Sequence, residues 1–143
     1  MELDAALRRL SEVRQAILVT LKRDGRPQSS NIVAAVGSDG VVRISITADR
    51  AKYHNLRRDP RATLHVNRAD FWAYAVVEGT AELSPVAADP ADGTVDELVE
   101  LYRSLSGEHP DWSEYRAAMV RDRRLVVRLQ PERAYGMWPD EQH

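Results

Sequence analysis

The chain has 143 residues, 43% of them apolar, a formal net charge of −2 and no cysteine. That length suits one domain over residues 1–143, with a core of its own and no need of a disulfide or metal staple. The missing cysteines exclude disulfides, thiolate metal sites, iron–sulfur clusters and a cysteine nucleophile, and the mixed charge speaks against nucleic acid as a partner.

The N-terminus, Met1-Glu2-Leu3-Asp4, opens no apolar core of signal-peptide length. The apolar runs, Ala16 to Leu21 among them, are too short to span a bilayer. A soluble cytoplasmic protein with no membrane partner is expected. Leu3, Leu7 and Leu10 recur at helical spacing and predict an amphipathic helix over 3–13. Gln15 to Lys22 reads as a strand, Asp24-Gly25 as a hairpin turn, and Pro27 to Val36 as a second strand with a polar first half. After a turn at 37–40, Val41 to Thr47 alternates cleanly, with Val42, Ile44 and Ile46 on one face. A short helix over 52–58 stops before Asp59-Pro60, because proline disfavours helix in the residue before it.

Ala62 to Val66 predicts a fourth strand and Phe71 to Leu83 a fifth. On the fifth, Ala73, Ala75, Val77, Gly79 and Ala81 give a face small enough for a narrow barrel interior, and Gly79 predicts a bulge. Thr94 and Glu97 have capping-box spacing, so a helix is expected from Thr94 to about Ser106, with Gly107 ending it. Asp111 or Ser113 caps a further helix to about Arg121. A last strand runs from Arg124 to about Leu129, where Pro131 interrupts it. Six antiparallel strands with peripheral helices imply a mainly β fold, a small closed or split β-barrel.

Familiar catalytic signals are missing: there is no Gly-rich dinucleotide fingerprint, phosphate loop, HExxH or nucleophile elbow. The four histidines, His54, His65, His109 and His143, lack metal-ligand spacing. The stretch from Ile46 to Pro60 is more informative. Thr47, Arg50, Lys52 and Asn55 crowd a hydroxyl, two cations and an amide at a strand–helix junction, where a helix N-terminus also favours an anion. Lys52 is one of only two lysines, Lys22 being the other. A solvated loop with surface charges fits the same spacing equally well. For Arg57, Arg58 and Arg61 the solvated face is the better reading. Gln28, Ser30 and Asn31 read as a strand end at solvent or ligand, and Trp72 and Tyr74 as packing or a subunit interface.

Several of these pieces together resemble a known family. They are Asp24-Gly25-Arg26-Pro27-Gln28 with Ser30-Asn31; Arg50-Ala51-Lys52 with Asn55 to Ala62; Trp72 and Tyr74-Ala75; Glu78-Gly79-Thr80-Ala81; Leu101-Tyr102-Arg103; Gly107-Glu108-His109; Tyr115-Arg116; Ala118-Met119-Val120; and Asp122-Arg123-Arg124. In order and spacing, from Gln15 to Tyr135, the chain resembles the pyridoxamine 5'-phosphate oxidase-like superfamily of split β-barrel flavoproteins, which have the FMN-binding split-barrel fold. Within it, the chain looks most like the actinobacterial branch that uses the deazaflavin coenzyme F420.

The resemblance implies a homodimer with cofactor sites in clefts between subunits, and an oxidoreductase that reduces a small organic molecule by hydride transfer. It implies a cofactor phosphate held by Arg50 and Lys52, with Asn55 and Thr47 or Ser45 helping. Gln28, Ser30 and Asn31 would lie near the ring system, and Trp72 and Tyr74 would reach the site from the partner subunit. Flavin mononucleotide (FMN) on the same fold is the alternative cofactor, and a non-catalytic coenzyme F420 carrier the alternative role. His54 and His65 prompt a haem-binding reading on the same fold. The chain stops at His143 without the long C-terminal segment expected for vitamin B6 oxidation, so that activity is not expected.

Overall fold

In the structure, a computed structural model that describes residues 1–139, the elements follow in the order α1 (Leu3–Val13), β1 (Gln15–Leu21), β2 (Pro27–Val36), β3 (Val42–Thr47), α2 (Ala51–Arg58), β4 (Arg61–Asn67), β5 (Tyr74–Leu83), α3 (Gly93–Ser106), α4 (Trp112–Arg121) and β6 (Arg124–Met137). The strands close into an antiparallel barrel in the order β1-β2-β3-β6-β5-β4. This is the expected split-barrel architecture.

Alternation explains the barrel's filling. Leu18, Val42, Ile44, Ile46, Leu64, Val66, Val77, Leu125, Val127 and Leu129 point inward and are buried. The alanines of β5 leave room among them. From α1, Ala6 and Leu10 are fully buried in the same core. A second cluster lies outside the barrel, where Val126 of β6 packs against Val95, Leu98 and Val99 of α3 and Met119 of α4.

A charged clamp ties α3 to the barrel wall. Glu97 accepts from Arg43 of β3 (3.0 Å) and from both Nε and a terminal nitrogen of Arg128 of β6 (2.9 and 2.5 Å). The Arg128 guanidinium, then that of Arg43, holds the Glu97 carboxyl below its usual range. Asp39 and Glu82 take the remaining arginine donors at 2.9 and 2.7 Å.

Three local expectations change. Glu97 is engaged by the clamp, and the Thr94 hydroxyl donates to Pro85 O (2.9 Å), so neither forms a capping box. Asp92 caps α3 instead, accepting from Val95 N at 2.8 Å. β5 begins at Tyr74, because Phe71 has φ 70° and turns the chain sharply before it. β6 continues past Pro131 to Met137. Val42 pairs with Leu129 at the end of β3, so beyond that point one flank of β6 is open and a missing N–H is tolerated. Gly79 stands opposite Pro131 at the expected bulge, and a Cβ there would meet Gln130 O at 2.1 Å.

Candidate functional site

β3, the loop after it, α2 and β6 meet at one end of the barrel around an open cleft of about 530 Å³. Of the residues singled out from sequence, Asn31, Ser45, Thr47, Arg50 and Lys52 line it, together with Ile32, Val33, Leu105 and Arg124. Arg50 is the N-cap of α2 and makes no side-chain cap, and with Tyr53 N donating to Arg50 O (3.1 Å) the N–H groups of Ala51 and Lys52 are the ones left beside it. Arg124 pairs with Thr47 in the β3–β6 ladder and donates to Ser45 Oγ at 3.3 Å. It is the site residue that reading along the sequence missed. Its signal was the strand pairing that sets it opposite Thr47.

The electrostatics of this cleft are unbalanced. Among the described residues, neither Arg50 nor Lys52 has a carboxylate partner, and the Arg124 guanidinium has only the Ser45 hydroxyl. Asp49, close by in sequence, accepts from Thr47 Oγ1 at 2.5 Å and is held below the usual carboxylate range by that bond. Partial burial, then the neighbouring charges of Arg50 and Arg124, pushes the Lys52 ammonium below its ordinary value. Asp49 opposes the shift of Lys52 without pairing to it, so the gathered like charges still repel one another, and an anion in the cleft relieves that repulsion. Side-chain donors, a helix N-terminus and hydroxyls are the donor set a phosphate takes.

The other predicted residues lie elsewhere. Asn55 is buried under α2, where its amide donates to Gln28 Oε1 (2.7 Å) and Thr20 Oγ1 (3.1 Å) while its oxygen accepts from Arg58 (3.0 Å). Asn55 and Gln28 therefore fasten α2 to the ends of β1 and β2. Ser30, paired with Leu18, shares the strand face of Gln28 and Ile32. Asn31 points to the opposite face and reaches the cleft wall. Tyr74 stacks on His65 (ring centroids 5.4 Å apart), and His65 also bonds Asn67 Oδ1 at 3.1 Å. Trp72 is 78% exposed and Phe71 79%, and the β5–β6 register sets Tyr74 beside Met137 and Val76 beside Tyr135. These side chains form an apolar edge on the outer barrel face. His54 lies exposed on α2 against Tyr53. His143 lies outside the described residues. Among the described residues no group of acidic and histidine side chains could hold a metal, and no helix is long and apolar enough to cross a membrane.

Comparison with known proteins places this geometry. The pyridoxamine 5'-phosphate oxidase family model matches residues 3–138. A conserved hypothetical protein, Rv2991 from Mycobacterium tuberculosis, superposes with a TM-score of 0.73 at 21% identity, over 100% of this chain and 92% of that one. An F420 reductase gives 0.68 at 24% identity, over 90% and 94%. HutZ, the heme storage protein from Vibrio cholerae, gives 0.69 at 14%, over 96% of each chain. At these identities the solved structures share the fold.

The Asn55 network has a measurable weight. Asn55→Leu strips partners from Thr20, Gln28 and Arg58, and is expected to cost about 1–3 kcal/mol in denaturant unfolding with an unchanged m-value. An unaltered midpoint would show that the buried amide does not fasten α2.

Proposed function

We propose that this chain, which belongs to the pyridoxamine 5'-phosphate oxidase family, is a deazaflavin-dependent oxidoreductase that holds coenzyme F420 by its phosphate and reduces a small organic acceptor. The supporting observation is the convergence of Arg50, Lys52 and Arg124 on one cleft, none of them ion-paired to a carboxylate among the described residues. In this reading Arg50 and Lys52 grip the phosphate as charge-assisted donors. Ser45 steadies Arg124 against it, and the α2 N-terminus adds backbone donors. Ile32, Val33 and Leu105 line the cleft with apolar surface that displaces water. The bound deazaflavin supplies a hydride from its ring carbon. The described residues lining the cleft include no carboxylate, histidine or tyrosine, so the acceptor's proton comes from solvent or from Tyr74 of a second copy.

The functional unit in this proposal is a homodimer. Phe71, Trp72, Tyr135 and Met137 are each at least 50% exposed on the outer face, and a second copy would cover them and bring Trp72 and Tyr74 toward its partner's cleft. FMN is the second reading, because a phosphate site fits either cofactor and the family favours flavins.

Titration of the purified protein with coenzyme F420 and with FMN, side by side, separates the readings. Tighter binding of coenzyme F420 is expected, and Lys52→Ala should weaken it by about 1.5–3 kcal/mol. Tighter binding of FMN would replace the first reading with the second, and binding of neither would end both. In sedimentation, the wild type should run as a dimer and Tyr135→Arg with Met137→Glu as a folded monomer. A wild-type monomer would contradict the shared site.

A further inference from the structure

Arg124 faces two hollows. Beside the first cleft lies a crevice of about 240 Å³ between β3, the end of α3, and α4, and Lys52 is not among its lining residues. Its walls are apolar and aromatic: Leu101, Leu105 and Met119 with the rings of Tyr102 and Tyr115. Ser45, Leu105 and Arg124 border both hollows. The crevice is held open by a rigid frame. Tyr102, His109, Trp112 and Tyr115 contact one another with ring centroids 5.0–5.7 Å apart. The Tyr115 hydroxyl is spent on Leu98 O at 3.0 Å, and the Trp112 indole N–H donates to Glu108 at 2.9 Å. The polar tips of Tyr115 and Trp112 are thus satisfied away from the crevice, leaving Arg124, Ser45 and the Tyr102 hydroxyl as its polar groups besides the exposed Ser106.

We infer that this crevice is a second binding site, for a small anion with a flat apolar or aromatic body, such as an arylcarboxylate. Its ring would lie against Tyr102, Tyr115 and Met119, and its carboxylate would meet Arg124. The proposal goes beyond the phosphate reading and holds whichever cofactor the neighbouring cleft takes. An apolar pocket with one fixed cation at its mouth matches that shape and charge. A planar guanidinium suits a carboxylate better than a point charge does. Because Arg124 also borders the anion cleft, the two sites share one charge, and an anion in either weakens binding in the other reciprocally.

Methyl-labelled methionine offers a direct reporter, since the chain has three methionines and one of them, Met119, lines the crevice. Benzoate is expected to shift the Met119 methyl resonance saturably, and neutral benzamide at the same concentration to leave it in place. Arg124→Gln should weaken benzoate about tenfold or more, and Lys52→Ala should leave its affinity within about twofold. The unliganded Met119 signal of each variant reports whether its fold is kept. An unmoved Met119 signal, an equal response to benzamide, or equal weakening by Lys52→Ala would overturn the proposal. The last result would place the anion in the phosphate cleft.

Discussion

The pairing of β3 with β6 is the constraint on which the remaining structure depends. It closes the barrel, and its register fixes Thr47 opposite Arg124 and Arg43 opposite Arg128. The first pair builds the wall of the anion cleft. The second builds the clamp that Glu97 completes from α3. Slipping that register by one residue would turn Ile44, Ile46, Leu125 and Val127 out of the core, so burial enforces it strongly. Hydrophobic alternation thereby positions charges that have no apolar reason to meet.

The two charged groupings resolve in opposite ways. At the clamp, Arg43 and Arg128 share Glu97, Asp39 and Glu82, and every guanidinium has a carboxylate. At the cleft, Arg50, Lys52 and Arg124 pair with none among the described residues, and burial first, then the charges of Arg50 and Arg124, pushes the Lys52 ammonium down. The clamp is complete within the chain, whereas in the proposed function an anion completes the cleft. Such local imbalance costs folding stability, and a bound anion returns it by mass action. The Asn55 network bears part of that cost, because it holds the N-terminus of α2 and its like charges against the barrel.

Much of this was legible in the sequence where the signals are local. The alternation of β3, the Asp24-Gly25 turn, the small inner face of β5 and the stop of α2 at Asp59-Pro60 all read directly. What failed to read was non-local. Pro131 looks like a strand end until the end of β3 frees one flank of β6. Thr94 and Glu97 keep capping-box spacing, yet Arg43 and Arg128, remote in sequence, claim the glutamate. Asn55 has the spacing of a cleft residue, but Thr20 and Gln28 lie beneath it. Arg124 joins the site through strand pairing with residues nearly eighty positions earlier, as its bond to Ser45 shows.

The central claim is that Lys52, with its proton affinity lowered by burial and by Arg50 and Arg124, is restored by the phosphate it holds. The sign follows from the shift: a depressed ammonium loses its proton at lower pH than usual, and a bound phosphate anion raises its pKa again. Calorimetric titration with coenzyme F420 at about pH 9, in buffers of different ionisation enthalpy, reads the protons exchanged on binding. The account predicts net proton uptake by the wild type and loss of that uptake in Lys52→Ala. The same proton count in both proteins would contradict it.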